Sequence, residues 1–326
     1  MKLKNLFILL SLSLAITGCA NGNGLEEKAD SKTGDLLVEE VSEEKPLVYA
    51  SFFPIYNLTK QIGKDKVEVK SFANLTSESH GFEPSAKQMA DLSEASLIFI
   101  NGAGMEEWVD AVDSSIDIEI VDTSKDLDLI DASGQAHEDH EAHEGHEGHN
   151  HGAFDPHTWL DPINGKDQAK VIAEKLADLD PSNKDYYLAN YEKIAGDLEE
   201  INQEFEEKFK TLTNKKFIVP HEAFAYLEKR YGLEQVPLTS LTSTGEADAL
   251  ALKQVADLAL KEDINVIFYE KGGSDKLAKT LADEISGQTS ELSTIEFLSE
   301  EELEKELSYQ ELVRENLKAI YDSLAE

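Results

Sequence analysis

Between residues 164 and 212 the chain holds two long helical patterns and no strand pattern, while strands alternate with helices on either side. This interruption limits what the chain can fold into. Alternating strands and helices imply a mostly parallel sheet, and a helical block in mid-chain divides that sheet into two. The helical stretches run from Asn164 to Leu179 and from Ser182 to Leu212, with Asp180-Pro181-Ser182 stopping one and capping the next. In the second stretch Tyr187, Tyr191, Ile194, Leu198, Ile201 and Phe205 recur at spacings of three and four. Thirty-one residues of helix span about 45 Å at 1.5 Å per residue, longer than one lobe needs. The expectation is a strut joining two α/β lobes.

The first lobe shows strand patterns at Leu47–Phe53, Lys66–Phe72, Ser96–Ile100 and Ile116–Val121, with helical patterns between them. The second shows strands at Lys216–Pro220 and Asn265–Tyr269, and a short one within Thr289–Ile295. Helices are expected at Glu222–Tyr231, Ala247–Lys261, Ser274–Ile285 and, as one amphipathic element, Glu300–Ala325. Two lobes with a cleft between them suit a ligand-binding receptor.

The N-terminus is set apart from the fold. Lys2 and Lys4 precede an apolar stretch from Leu6 to Ile16, too short to read as a spanning helix. It ends at Ile16-Thr17-Gly18-Cys19, and Cys19 is the only cysteine in the chain. Small residues directly before a cysteine resemble the lipobox of bacterial lipoproteins, in which cleavage leaves a lipidated cysteine. Multiple acyl chains would hold such a protein to a membrane. Residues 1–18 are therefore read as a signal peptide and 19–45 as a disordered tether. Residues 46–163 form the first lobe, 164–212 the helical linker and 213–326 the second lobe.

Charge and cysteine content exclude several classes. The net charge of −36 becomes −38 once two lysines leave with the signal, and such a surface repels nucleic acid. One cysteine excludes an intrachain disulfide and a cysteine-based zinc cluster. The field favours cations without choosing among them.

Nine histidines carry the chemistry. His137, His140, His143, His146, His149 and His151 lie among acids and glycines in a loop at 137–151. Imidazoles with interleaved carboxylates suit transition-metal capture, and the glycines disfavour a stable helix. A solvated low-complexity insertion is the blander reading. His80, His157 and His221 stand alone. Singly, each reads as a structural histidine; together they occupy loops after strands or the end of a lobe, where α/β folds place ligands. Adjacent prolines favour rigid presentation.

The segments His80-Gly81-Phe82-Glu83-Pro84-Ser85-Ala86, Asp155-Pro156-His157-Thr158-Trp159-Leu160-Asp161-Pro162 and His221-Glu222-Ala223-Phe224-Ala225-Tyr226-Leu227 occur in this order. Together they resemble the metal-binding receptors of bacterial zinc and manganese ABC transporters, and most of all the zinc-specific, ZnuA-like group. The resemblance covers residues 46–326. It implies two α/β lobes joined by a long rigid helix, with the metal in the interlobe cleft. It also implies His80, His157, His221 and an acid from the second lobe as ligands. Glu296 matches the acid's position, although the proline-leucine pair usual before it is absent; Glu270, at a strand end, is the rival. Some members use an acid directly before the first histidine, where this chain has Ser79.

Three imidazoles and one carboxylate suit Zn2+ in tetrahedral coordination, whereas manganese members use a more oxygen-rich set. The implied protein is a monomeric, lipid-anchored, extracytoplasmic receptor that delivers Zn2+ to an ABC permease, with the loop at 137–151 as an auxiliary collector. A manganese receptor or surface adhesin of the same fold is the alternative. Binding is expected to weaken below about pH 6.5 as imidazoles protonate. An enzyme is not expected. His221-Glu222 begins like HExxH, but Ala225 stands where the second histidine belongs, and GxSxG, P-loop and GxGxxG contexts are missing.

Overall fold

The computed structural model describes residues 45–132, 153–238 and 249–325, with backbone only at 249–251. Cys19, the tether, and the histidines from His137 to His151 lie outside the described residues. Among the described residues, no helix is long and apolar enough to cross a membrane.

The first sheet contains β1 (Leu47–Ala50), β2 (Glu68–Ser71), β3 (Leu97–Ile100) and β4 (Glu119–Asp122), in the order β2-β1-β3-β4. All its pairings are parallel. Central β3 reads Leu-Ile-Phe-Ile and is buried at every position, as expected for a parallel strand covered on both faces. Edge strand β2 alternates instead between exposed and half-buried residues. Helices α1 (Phe53–Gly63), α2 (Ala86–Leu92) and α3 (Val109–Asp113) belong to this half. In α1, Pro54 occupies the first turn, where its missing N–H costs nothing, and Ile55, Leu58 and Ile62 are buried.

Two helices follow, α4 (Pro162–Leu179) and α5 (Lys184–Lys210). The second half then repeats the topology with β5 (Lys216–Val219), α6 (Ala225–Tyr231), β6 (Glu234–Pro237), α7 (Ala249–Lys261), β7 (Val266–Glu270), α8 (Lys276–Ile285) and β8 (Gln288–Leu292). Its sheet is parallel in the order β6-β5-β7-β8. Two last helices, α9 (Glu300–Glu304) and α10 (Tyr309–Ala325), complete the chain.

Helix α5 has 27 residues and spans about 40 Å, somewhat less than the sequence pattern suggested. Its start is delayed by a 3-10 turn at Pro181–Asn183 organised on Asp180. Asn183 and Tyr187 each donate to Asp180 Oδ2 at 2.7 Å, and Ser182 donates to Oδ1 at 2.5 Å. Burial opposes the charge on Asp180, but these donors outweigh it and hold the pKa down to about 2. The buried stripe of α5, from Tyr187 through Ile194, Leu198, Ile201 and Phe205 to Phe209, packs on both halves. It touches α1 and α4, and also α6 and α10.

The helix therefore lies within one apolar core. That core runs unbroken from Val48, Leu97 and Phe99 under the first sheet, through α5, to Phe217, Val219 and Phe268 of the second. Smaller clusters cover the far faces of the two sheets. Close packing between α4 and α10 requires a glycine. A Cβ on Gly165 would sit 2.1 Å from the Tyr309 hydroxyl, which bonds the carbonyl of Trp159.

Beyond shifted element ends, two regions differ from the sequence expectation. The amphipathic pattern at 300–325 breaks into α9 and α10, because Ser308 and Glu311 form a reciprocal cap that starts a new helix. Strand β6 is a four-residue edge strand ending in proline, with too little alternation to stand out.

The shared core predicts unfolding as one unit. Phe205→Ala, which empties a site 1% exposed, should cost about 3–5 kcal/mol. Circular dichroism and tryptophan fluorescence should still report a single coincident transition. Two separated transitions would show that the halves do not share their stability.

Candidate metal centre

The loops carrying His221 and Glu296 leave the C-terminal ends of β5 and β8, and His80 lies between β2 and α2. His157 directly precedes the 3-10 turn Thr158–Leu160 that leads into α4. Open α/β sheets collect ligands at such strand ends.

His157 is the most firmly held. Asp155 Oδ1 accepts the backbone N–H of His157 at 2.9 Å and its Nδ1–H at 2.8 Å. Nε2 is then the ring atom left to bind a metal, and the backing carboxylate raises its basicity. The flanking backbone is fixed from both halves. Asn101 Nδ2 donates to Pro156 O at 2.9 Å, and Thr158 Oγ1 donates to Asn101 Oδ1 at 2.8 Å. From the other side, the Tyr226 hydroxyl donates to Asp155 O at 2.8 Å, and Arg230 pairs with buried Asp161. Asn101 is itself set by Glu106, which accepts the backbone N–H groups of Asn101 and Gly102 at 2.7 and 2.9 Å. Burial pushes the Glu106 carboxyl up to about 7.

His80 Nε2 stands 3.3 Å from His157 Nε2 and 3.3 Å from Glu296 Oε1. The ligand atoms of His80, His157 and Glu296 all lie within 4.8 Å of one another. Glu296 and His157 are each 1% exposed, and His80 is half-buried. Glu296 Oε2 also accepts the Ser79 N–H at 3.4 Å. Metal bonds of 2.0–2.1 Å arranged tetrahedrally put ligand atoms about 3.3–3.4 Å apart, so the donors stand at the spacing such an ion requires.

His221 lies beside this cluster rather than within its tight group. Its ring centroid is 5.8 Å from that of His157. Its Nδ1 is 3.2 Å from Glu270 Oε2, and both side chains are about one-quarter exposed. Glu270 Oε1 accepts the Thr294 hydroxyl at 3.1 Å. The two candidate acids thus differ in place: Glu296 faces His80 from the buried side, whereas Glu270 backs His221.

The site is electrically primed. Burial disfavours the charged form of His80, but the hydrogen bond and charge of Glu296 outweigh it and raise the pKa. His221 is raised in the same way against its burial, by Glu270 and then Glu296. Burial alone would raise Glu296, yet His80, with help from His157 and His221, holds it below the usual carboxylate value. Sequence reasoning missed Asp155, Glu106 and Thr294. Only Asp155 left a local signal, an acid two residues before the histidine.

Residues 48–323 match the family described as zinc-uptake complex component A, periplasmic. The chain is 36% identical to the high-affinity zinc uptake system protein ZnuA of Bacillus subtilis, over 99% of this chain and 98% of that one. Among solved structures, the metal-dependent lipoprotein YcdH of Bacillus subtilis is similar, with a TM-score of 0.74 and 35% identity, covering 86% of this chain and 100% of that one. The Zn(II)-bound ZnuA-like domain of Streptococcus pneumoniae AdcA also aligns at TM-score 0.74, with 26% identity over 87% of this chain and 100% of that one.

The shifted pKa values set a pH window. The raised values of His80 and His221 stabilise the metal-free fold fully below 6.5, and this contribution is lost as pH rises through their folded-state values. The lowered value of Glu296 stabilises it above 4.5, and that contribution is lost as pH falls through the folded-state value. These groups therefore favour the metal-free protein most between 4.5 and 6.5. A metal needs the imidazoles deprotonated, so the rise in Tm on adding zinc should grow as pH goes from 6 to 8. Thermal denaturation at fixed zinc across this range checks it. A zinc-induced shift independent of pH would contradict the coupling.

Proposed function

The chain belongs to the zinc-uptake complex component A family, and on that premise we propose that it is an extracytoplasmic receptor that captures Zn2+ and passes it to an ABC permease. His80, His157, His221 and Glu296 would form a four-ligand site, with Asp155 fixing the His157 ring. The observation that carries this reading is the placement of His80 Nε2 at 3.3 Å from both His157 Nε2 and Glu296 Oε1. Neutral imidazoles with one carboxylate favour zinc over a harder, oxygen-seeking ion. The metal here is cargo, so the site must bind tightly yet empty at the permease. Mobility in the loop of His221, whose side chain is about one-quarter exposed, would open coordination without moving buried His157.

The histidines from His137 to His151 would serve as a weaker collector, because imidazoles interleaved with carboxylates suit transition metals. Lipidation of Cys19 would hold the receptor, as a monomer, at the membrane face from which the permease takes zinc.

Isothermal titration with zinc tests the site. His157→Ala should lower affinity more than about a hundredfold, beyond the 10–100-fold typical of outer-shell changes. A chain lacking residues 137–151 should keep the tight phase and lose only the weak one. Unchanged tight binding in His157→Ala, or its loss in the deletion, would move the primary site elsewhere.

The anchor is tested by fractionating cells that produce Cys19→Ser. The variant should leave the membrane fraction, and its full retention there would rule out this mode of attachment.

A further inference from the structure

Glu270 has both carboxylate oxygens engaged. Oε2 accepts from His221 Nδ1 at 3.2 Å, and Oε1 accepts from the Thr294 hydroxyl at 3.1 Å. Thr294 is 3% exposed and is held by its main chain as well. Its carbonyl accepts the indole N–H of Trp159 at 2.7 Å. Trp159 is completely buried, and its ring lies 5.3 Å from the imidazole of His157. Thr294 also stands two residues before Glu296.

The neighbouring backbone is equally constrained. Asn316 Oδ1 accepts Ser293 N–H at 3.1 Å, and Asn316 Nδ2 donates to Ser293 O at 2.6 Å. Ile295 adopts φ of +59°, a costly conformation for a β-branched residue, with its N–H on Ser293 Oγ at 3.0 Å. Such a backbone persists only where its surroundings over-determine it, and here it aims Glu296 into the site.

We infer that Glu270 is a positioning residue for the metal site and that Thr294 couples it to the buried ligands. The carboxylate keeps the His221 proton on Nδ1 and so presents Nε2 to the metal, as Asp155 does for His157. Thr294 fixes the carboxylate, and through Trp159 and Glu296 it ties the His221 loop to the buried pair. Glu270 is then not the fourth ligand: it backs His221 Nδ1 and stands outside the group of His80, His157 and Glu296, whose ligand atoms lie within 4.8 Å of one another. The inference rests on the zinc-site reading for its effect on affinity, but its tautomer readout does not.

The test uses Glu270→Ala, Thr294→Val, Thr294→Ser and the Glu270→Ala/Thr294→Val double variant, all in the full chain. Zinc affinity is measured against a competing chelator, and coordination by X-ray absorption at the zinc edge. Glu270→Ala should lose about 10–100-fold in affinity. Thr294→Val should lose less, Thr294→Ser should match the parent, and the double variant should be no weaker than Glu270→Ala alone, since the two act along one path. Every variant should keep the parent's count of imidazole and oxygen ligands.

Nitrogen NMR of the metal-free protein should show His221 protonated at Nδ1 in the parent and mixed tautomers in Glu270→Ala and Thr294→Val. Loss of an oxygen ligand in Glu270→Ala, an affinity within twofold of the parent, or an unchanged His221 tautomer would each overturn the inference. If the parent bound zinc without any dependence on His157, the zinc reading would fall, while the tautomer shift would still decide the role of Glu270.

Discussion

Trp159 is buried completely, and its indole N–H reaches across the boundary between the two halves to the carbonyl of Thr294. The segment around it is gripped at almost every residue. Asp155 receives the Tyr226 hydroxyl, Trp159 the Tyr309 hydroxyl, and Asp161 the Arg230 guanidinium. Each of those partners belongs to the second half of the chain, whereas Asn101 holds the same segment from the first. A buried polar group without a partner is expensive, so these bonds specify one relative placement of the halves. The continuous apolar core enforces the same placement by packing. A change in that placement would break several buried hydrogen bonds at once.

Three carboxylates and three imidazoles share a small volume, and their burial would be unfavourable if each stood alone. They compensate one another in pairs: Asp155 with His157, Glu270 with His221, and Glu296 with His80. Removing one member leaves its partner as an uncompensated buried group, which costs more than the pair itself contributes. These pairs hold the donors close together in the absence of an ion. A doubly charged ion meets donors already spaced for it, and little reorganisation is required.

Much of this was legible in the chain, for identifiable reasons. Parallel strands buried on both faces leave unbroken apolar runs, so Leu97–Ile100 and Val266–Glu270 stood out. The long stripe of α5 was visible because it repeats over many turns. His80, His157 and Glu296 were recognisable by their motifs, and the fold brings those three together. Short edge strand β6 carried no period to detect. The break between α9 and α10 did carry one, in the spacing of Ser308 and Glu311, but the amphipathic pattern ran across it. The link from Thr294 to Glu270 could not be read, because it joins two loops that only the sheet order of β7 beside β8 makes neighbours.

The last helix closes the first half of the molecule. Asn57 Oδ1 accepts the backbone N–H of Tyr309 at 2.9 Å, and Gln61 bonds Gln310 at 2.8 Å, across about 250 residues of chain. The core beneath α1 is therefore incomplete until the final seventeen-residue element has arrived. A chain emerging from its N-terminus can form local helices early, but it cannot lock its first sheet in place beforehand, since the closing contacts carry the greatest loop-closure cost.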